Sequence, residues 1–251
     1  VATFSSNFVF AHRGADYLQA ALPPSPLQHY WSLAVEEQFY VVWPALIALI
    51  CLGVTTHSRF TARVRVALTA SIISIASFIA CMAMMNTSQP WAFFSPHTRA
   101  FELAIGALIA VAPLAASLNS RRIASVLAWV GLGTVIVCAF TFDEYTKFPG
   151  PWALVPVAAT ALLLRGGDST QWAPRALLQL TPLQWLGSRS YSAYLWHWPI
   201  LILAEARKGA QLTVTQGLAC TVIGLALSEF SFRIVENPVR HMITIRGIRA
   251  T

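Results

Sequence analysis

The chain has 251 residues, of which 56% are hydrophobic and 11% charged, with a mean hydropathy of +0.59. Soluble globular chains carry about 25% charged residues, so this composition excludes a soluble enzyme or adaptor and identifies an integral membrane protein. The net charge of +7 does not point to nucleic acid, because the basic residues lie in short loops between apolar runs, the placement that membrane orientation requires.

In chain order, residues 1–34 read as an outer loop, polar and aromatic, with the turn formers Pro23, Pro24, Ser25 and Pro26 ahead of the first apolar run. His12, Arg13 and Asp16 read as solvated loop residues. Seven apolar segments follow, at about 35–54, 64–85, 100–117, 123–142, 151–165, 190–206 and 212–235, each near the ~20 residues that cross the hydrocarbon core. The fifth is short and contains Pro156, so a tilted or re-entrant course is expected there. Residues 236–251 read as a tail. No repeat, long linker or second domain interrupts this pattern, and the expected architecture is one all-α domain over 1–251, a polytopic bundle of about seven membrane segments.

With the first segment entering from outside, twelve arginines fall in inner loops and five basic residues in outer ones. This bias favours an outside N-terminus and a cytoplasmic C-terminus. The four cysteines, Cys51, Cys81, Cys138 and Cys220, lie in apolar segments without metal-type spacing and read as small buried hydrophobes. No metal site is expected.

Four constellations carry candidate chemistry. The first is the stretch from His29 to Pro44, in which His29, Trp31, Ser32, Glu36 and Glu37 stand at the mouth of an apolar run. Ionisable groups there are costly and suggest a functional site. A structural reading also fits: Ser32 as N-cap, with acids in the first turn complementing the helix dipole. The second is Arg99 and Glu102, three apart on one helix face, either a salt bridge anchoring the helix end or a binding pair. In the third, Tyr191, Tyr194 and His197 recur every three residues, and His197 is suited either to proton transfer or to a hydrogen bond within the bundle. Pro199, just beyond it, leaves a helical carbonyl without its N–H. The fourth joins Glu229, Arg233, Glu236 and Arg240 near the end of the last helix, as a clamp or as a binding place for donor phosphates. Walker, Rossmann, GxSxG and HExxH patterns are absent from the sequence.

The run HYWSLAVEEQFYVVWP closely resembles a signature of the membrane-bound acyltransferase-3 family, whose members O-acylate sugars, cell-wall polymers and lipids. Arg99-x-x-Glu102-Leu103-x-x-Gly106, the Ser190–Pro199 element SYSAYLWHWP and Glu236-x-Pro238-x-Arg240 are similar to further elements of that family, in its order. The resemblance implies part of a ten-helix-type bundle in a bacterial plasma membrane. It implies transfer of an acyl group, commonly acetyl from acetyl-CoA, to a carbohydrate or lipid hydroxyl, with no bound cofactor. It also implies site roles: Glu36, Glu37 and His197 as catalytic groups, and His29, Trp31, Ser32, Arg99, Glu102, Tyr191 and Tyr194 as substrate contacts. Arg233, Glu236 and Arg240 would be structural or donor-binding. Family members begin with a helix bearing an arginine and a histidine, and nothing before Phe39 reads as such a helix. The chain is therefore expected to correspond to the C-terminal two-thirds of the domain. A proton-coupled transporter and a non-catalytic remnant are the alternatives.

Overall fold

The computed structural model describes residues 3–12, 14, 25–52, 59–111, 121–143, 145–166 and 172–241. Arg13, Asp16 and the end of the tail lie outside the described residues. The described structure is all-α. In chain order the helices are α1 (Ser6–His12), α2 (Tyr30–Ile50), α3 (Arg59–Thr87), α4 (Gln89–Phe94), α5 (Pro96–Val111), α6 (Arg121–Thr141), α7 (Leu154–Gly166), α8 (Arg175–Leu178), α9 (Thr181–Ser188), α10 (Ser190–Lys208) and α11 (Val214–Ser231).

Each of the seven apolar segments contains a helix, but four helical stretches among the described residues are long and apolar enough to cross a membrane: Tyr30–Ile50, Thr61–Thr87, Arg121–Thr141 and Val214–His241. The physical reason is length and polarity. At 1.5 Å per residue, α7 with its 13 residues reaches about 20 Å of the ~30 Å core. Helix α5 has 16 residues, and α10 carries His197, Glu205, Arg207 and Lys208 within its 19. The lead-in also differs from a plain loop, because Ser6–His12 is helical and buries Phe10 and Ala11.

The chain forms two compact units, residues 1–21 with 31–177 and residues 22–30 with 178–251. In the first, α3 packs on α5 and α6 on α7. Two glycines permit the second pairing: a Cβ at Gly166 would fall on the Ala124 carbonyl, and one at Gly131 on the Ala159 carbonyl. Two apolar clusters form its core. One is Phe10, Ala11, Trp31, Val35 and Phe94, and the other centres on Cys81, Phe101 and Ala153. Ser95 is extended before Pro96, as a residue preceding proline must tend to be. This breaks α4 from α5, and the Thr98 hydroxyl ties the junction by donating to the Ala92 and Ser95 carbonyls at 2.8 and 2.9 Å.

In the second unit, α10 packs on α11. Gly209 ends α10 in the left-handed conformation (φ +70°), and a Thr213–Gln216 capping box opens α11. Helix α11 runs into a π turn at Phe232–Glu236. Of the cysteines, Cys81, Cys138 and Cys220 are buried and Cys51 half-buried, all with free thiols.

Candidate functional site

In the second unit the site grows from Pro199. Its missing N–H releases the Leu195 carbonyl, which accepts instead from the Tyr30 hydroxyl at 3.3 Å. One residue earlier, Tyr194 donates its hydroxyl to the His29 carbonyl at 2.6 Å. The Trp198 indole donates to the Ser25 carbonyl at 3.0 Å. Residues 25–29, expected in an outer loop, are thereby turns fastened to α10. His29 is 4% exposed, its ring centroid 5.2 Å from Tyr194 and 5.3 Å, edge-on, from His197. It lies outside the candidate membrane spans. Burial, and secondarily the nearby His197, lower its pKa to about 4 against the opposing pull of the Tyr194 and Leu195 carbonyls, so His29 is neutral at pH 7.

His197 Nδ1 lies 2.7 Å from the Tyr194 carbonyl. A carbonyl can only accept, so Nδ1 carries the proton, and in the neutral ring Nε2 bears the lone pair. The imidazole is exposed, in contrast to His29. Tyr191, on the same stripe, is 44% exposed and lines a cavity of about 560 Å³ with Tyr30, Ser192, Trp196, Glu236 and Arg240. On that wall Ser192 donates to Glu236 at 2.6 Å, and Arg240 pairs with Glu236 at 2.8 Å. The Glu236 side chain is only 10% exposed. Glu229 binds both Arg189 and Arg233. Tyr30, expected at the outer end of its segment, thus shares a cavity with Arg240, expected at the inner end of the last.

The first unit holds the other candidates. Arg99 Nε lies 2.7 Å from Glu102 Oε1 and Arg99 Nη2 2.9 Å from Glu102 Oε2. The guanidinium carbon sits 5.4, 5.6 and 5.1 Å from the Trp31, Phe93 and Phe148 ring centroids. Trp31 is therefore joined to the Arg99–Glu102 pair, as a common role requires.

Glu36 and Glu37 are not. The helix begins at Tyr30 with no acid in its first turn, so Ser32 is an interior, half-buried residue rather than the N-cap. At about 100° per residue, Glu36 and Glu37 lie roughly 140° and 240° round from Trp31. Tyr40 donates to Glu36. Glu37 has no ion-pair partner among the described residues, and neither acid bonds Arg99. Gln38 occupies the Trp31 face instead. Its amide donates to the Phe4 carbonyl at 2.6 Å and to Asn7 Oδ1 at 3.0 Å, and Asn7 donates on to the Phe94 carbonyl at 3.2 Å. The seven-residue spacing from Trp31 to Gln38 was the signal for this inward polar residue. Nothing in the sequence pointed to Asn7, which is fully buried.

Comparison with known proteins supplies the family. The chain is 29% identical over 252 residues to the putative peptidoglycan O-acetyltransferase YrhL of Bacillus subtilis, covering 94% of this chain and 38% of that protein. It is 26% identical over 246 residues to the peptidoglycan O-acetyltransferase OatA of Listeria monocytogenes, covering 94% and 39%. With the O-acetyltransferase OatA of Staphylococcus aureus the figures are 27% over 250 residues, 94% and 40%. The chain thus spans about two-fifths of the length of these relatives. No solved structure matches it significantly. The acyltransferase-3 model, described as an acyltransferase domain, matches residues 1–229, and the chain belongs to that family.

Proposed function

We propose that the protein is an integral membrane O-acyltransferase that moves an acetyl group from acetyl-CoA to a hydroxyl of a cell-envelope carbohydrate, with peptidoglycan the first acceptor to test. The observation that carries the reading is the fixed tautomer of His197 within a chain whose relatives are named O-acetyltransferases. The acceptor oxygen attacks the thioester carbonyl and loses its proton to His197 Nε2, and the departing thiolate takes that proton up as CoA thiol. His29 and Tyr194 hold His197's surroundings in place, and Tyr191 faces the substrate. In the first unit Trp31, Ser32, Arg99 and Glu102 are the candidate substrate contacts, and Glu36 and Glu37 the candidate carboxylates for acid–base work. Arg233, Glu236 and Arg240 serve the donor or clamp the helix end. The enzyme lies in a bacterial plasma membrane as one domain of about seven segments within a ten-helix-type bundle.

The test uses membranes of cells producing the full-length protein, supplied with acetyl-CoA labelled in the acetyl group and with peptidoglycan. Label should enter the polymer as ester, released by mild base, and His197→Gln should abolish it. Absence of esterified label from the wild-type membranes under all acceptors tried would overturn the reading.

A further inference from the structure

The cavity of about 560 Å³ against α10 and α11 is lined only by residues of the second unit. Two breaks in helical regularity shape it. Pro199 lines it from α10, and the π turn Phe232–Glu236 supplies Val235 and Glu236; such turns recur at functional sites. The walls are chiefly apolar, with Leu27, Leu195, Pro199, Val235 and Val239. Tyr30, Ser192 and Trp196 have already placed their donors, on the Leu195 carbonyl, Glu236 and the Ser231 hydroxyl, at 3.3, 2.6 and 2.8 Å. The volume falls within the range of about 300–1,000 Å³ of small-molecule sites. A polar ligand would lose its hydration there with few groups to replace it, whereas a hydrocarbon chain would not.

One end of the cavity is charged. Glu236 and Arg240 stand there with Ser192, from the start of α10. Arg240 Nη2 lies 2.8 Å from Glu236 Oε1, and the arginine side chain is 62% exposed. It is next to His241, the last residue of the candidate span Val214–His241. The Ser192–Glu236 and Trp196–Ser231 contacts make α10 and α11 antiparallel, so Pro199 lies about 10 Å further into the span than Ser192. The charged end therefore coincides with the end of the span, and the apolar part runs inward. In the sequence Arg233, Arg240, Arg246 and Arg249 follow one another with Glu236 the one acid among them.

We propose that this cavity binds an anionic phospholipid, with the phosphate beside Arg240 and one acyl chain running towards Pro199. Basic pockets at the ends of membrane helices take anionic headgroups, and the chain fills apolar space that water would occupy at a cost. The bound lipid braces α10 against the π turn, so Arg240 acts in a clamp at the helix end. The binding is non-covalent and does not depend on acyl transfer. The acyl donor fits the cavity less well, because its pantetheine arm carries amides and the donors on these walls are already placed.

The experiment measures lipid retention by the full-length protein in detergent, stripped of lipid and offered dioleoyl phosphatidylglycerol or dioleoyl phosphatidylcholine, which differ only in the headgroup. Mass spectrometry of the intact complex should show phosphatidylglycerol retained about fivefold more than phosphatidylcholine. Arg240→Gln should lower phosphatidylglycerol retention by about fivefold. Val239→Trp, which fills the cavity, should lower retention of both lipids. In the wild type, phosphatidylglycerol with a diazirine in its acyl chain should label residues 195–199 or 235–239, a result that does not depend on either variant folding. Equal retention of the two lipids, label falling only outside those stretches, or unchanged retention in both folded variants overturns the proposal. So does displacement of the lipid by acetyl-CoA, which would assign the cavity to the acyl donor.

Discussion

His29 makes the second unit sensitive to acid, and the size of the effect follows from its surroundings. Burial holds the imidazole pKa at about 4, against 6.5 for the free side chain. Above pH 6.5 the residue is neutral in both folded and unfolded chains and contributes no pH dependence. Between 6.5 and about 4 the unfolded chain takes up a proton that the folded one refuses, so stability falls as pH falls and levels off below that window. A shift of this size corresponds to about 3 kcal/mol. His29→Gln removes the titration while retaining a polar side chain of similar reach. Unfolding in detergent, followed by tryptophan fluorescence from pH 7.5 to pH 4, compares the two proteins. The difference between their stabilities should change by about 3 kcal/mol across the window, on top of carboxylate effects common to both. Parallel curves would mean that the ring is hydrated or carries its proton in the fold, and the burial argument would fail.

Two further outcomes are expected. Gly166→Ala and Gly131→Ala drive a methyl into the Ala124 and Ala159 carbonyls across the α6–α7 contact and should each cost about 1–3 kcal/mol. Gly133→Ala on the same helix meets nothing within 4 Å and should be neutral or stabilising by up to about 1 kcal/mol; equal melting temperatures for all three would contradict this packing. Glu36→Gln and Glu37→Gln test the carboxylates by acetyl-transfer assay. At least one should lower transfer by about 10²-fold if it serves as acid or base, and full activity in both would remove them from the catalytic set.

What could be read from the residues in order was whatever depends on neighbours along the chain. Hydropathy marked seven segments that each contain a helix, and among the described residues four stretches meet the length and polarity of a span. The Arg99–Glu102 pair follows from an i, i+3 spacing on one helix, and the Tyr194–His197 stripe with its freed carbonyl follows from the same periodicity and from Pro199. Four family elements in order were enough to name the family.

The rest is decided between segments far apart in sequence. His29 meets Tyr194 across 165 positions, so its burial and its neutral state have no local signal. Asn7, Gln38 and the Phe94 carbonyl form one chain of hydrogen bonds because α1, α2 and α4 converge within the first unit. Ser192 reaches Glu236 because α10 lies along α11 and its π turn. The start of α2 at Tyr30 differs from the expected one for a related reason. Backbone bonds from Gln28 to Ser25 and from Tyr30 to Leu27 turn the chain into a helix at Tyr30, leaving Ser32 inside it and both acids nearly two turns beyond its start. Helix periodicity along a chain shows which residues share a face. Which face meets which is set by close packing and by the pairing of buried polar groups, and those exist only in the tertiary structure.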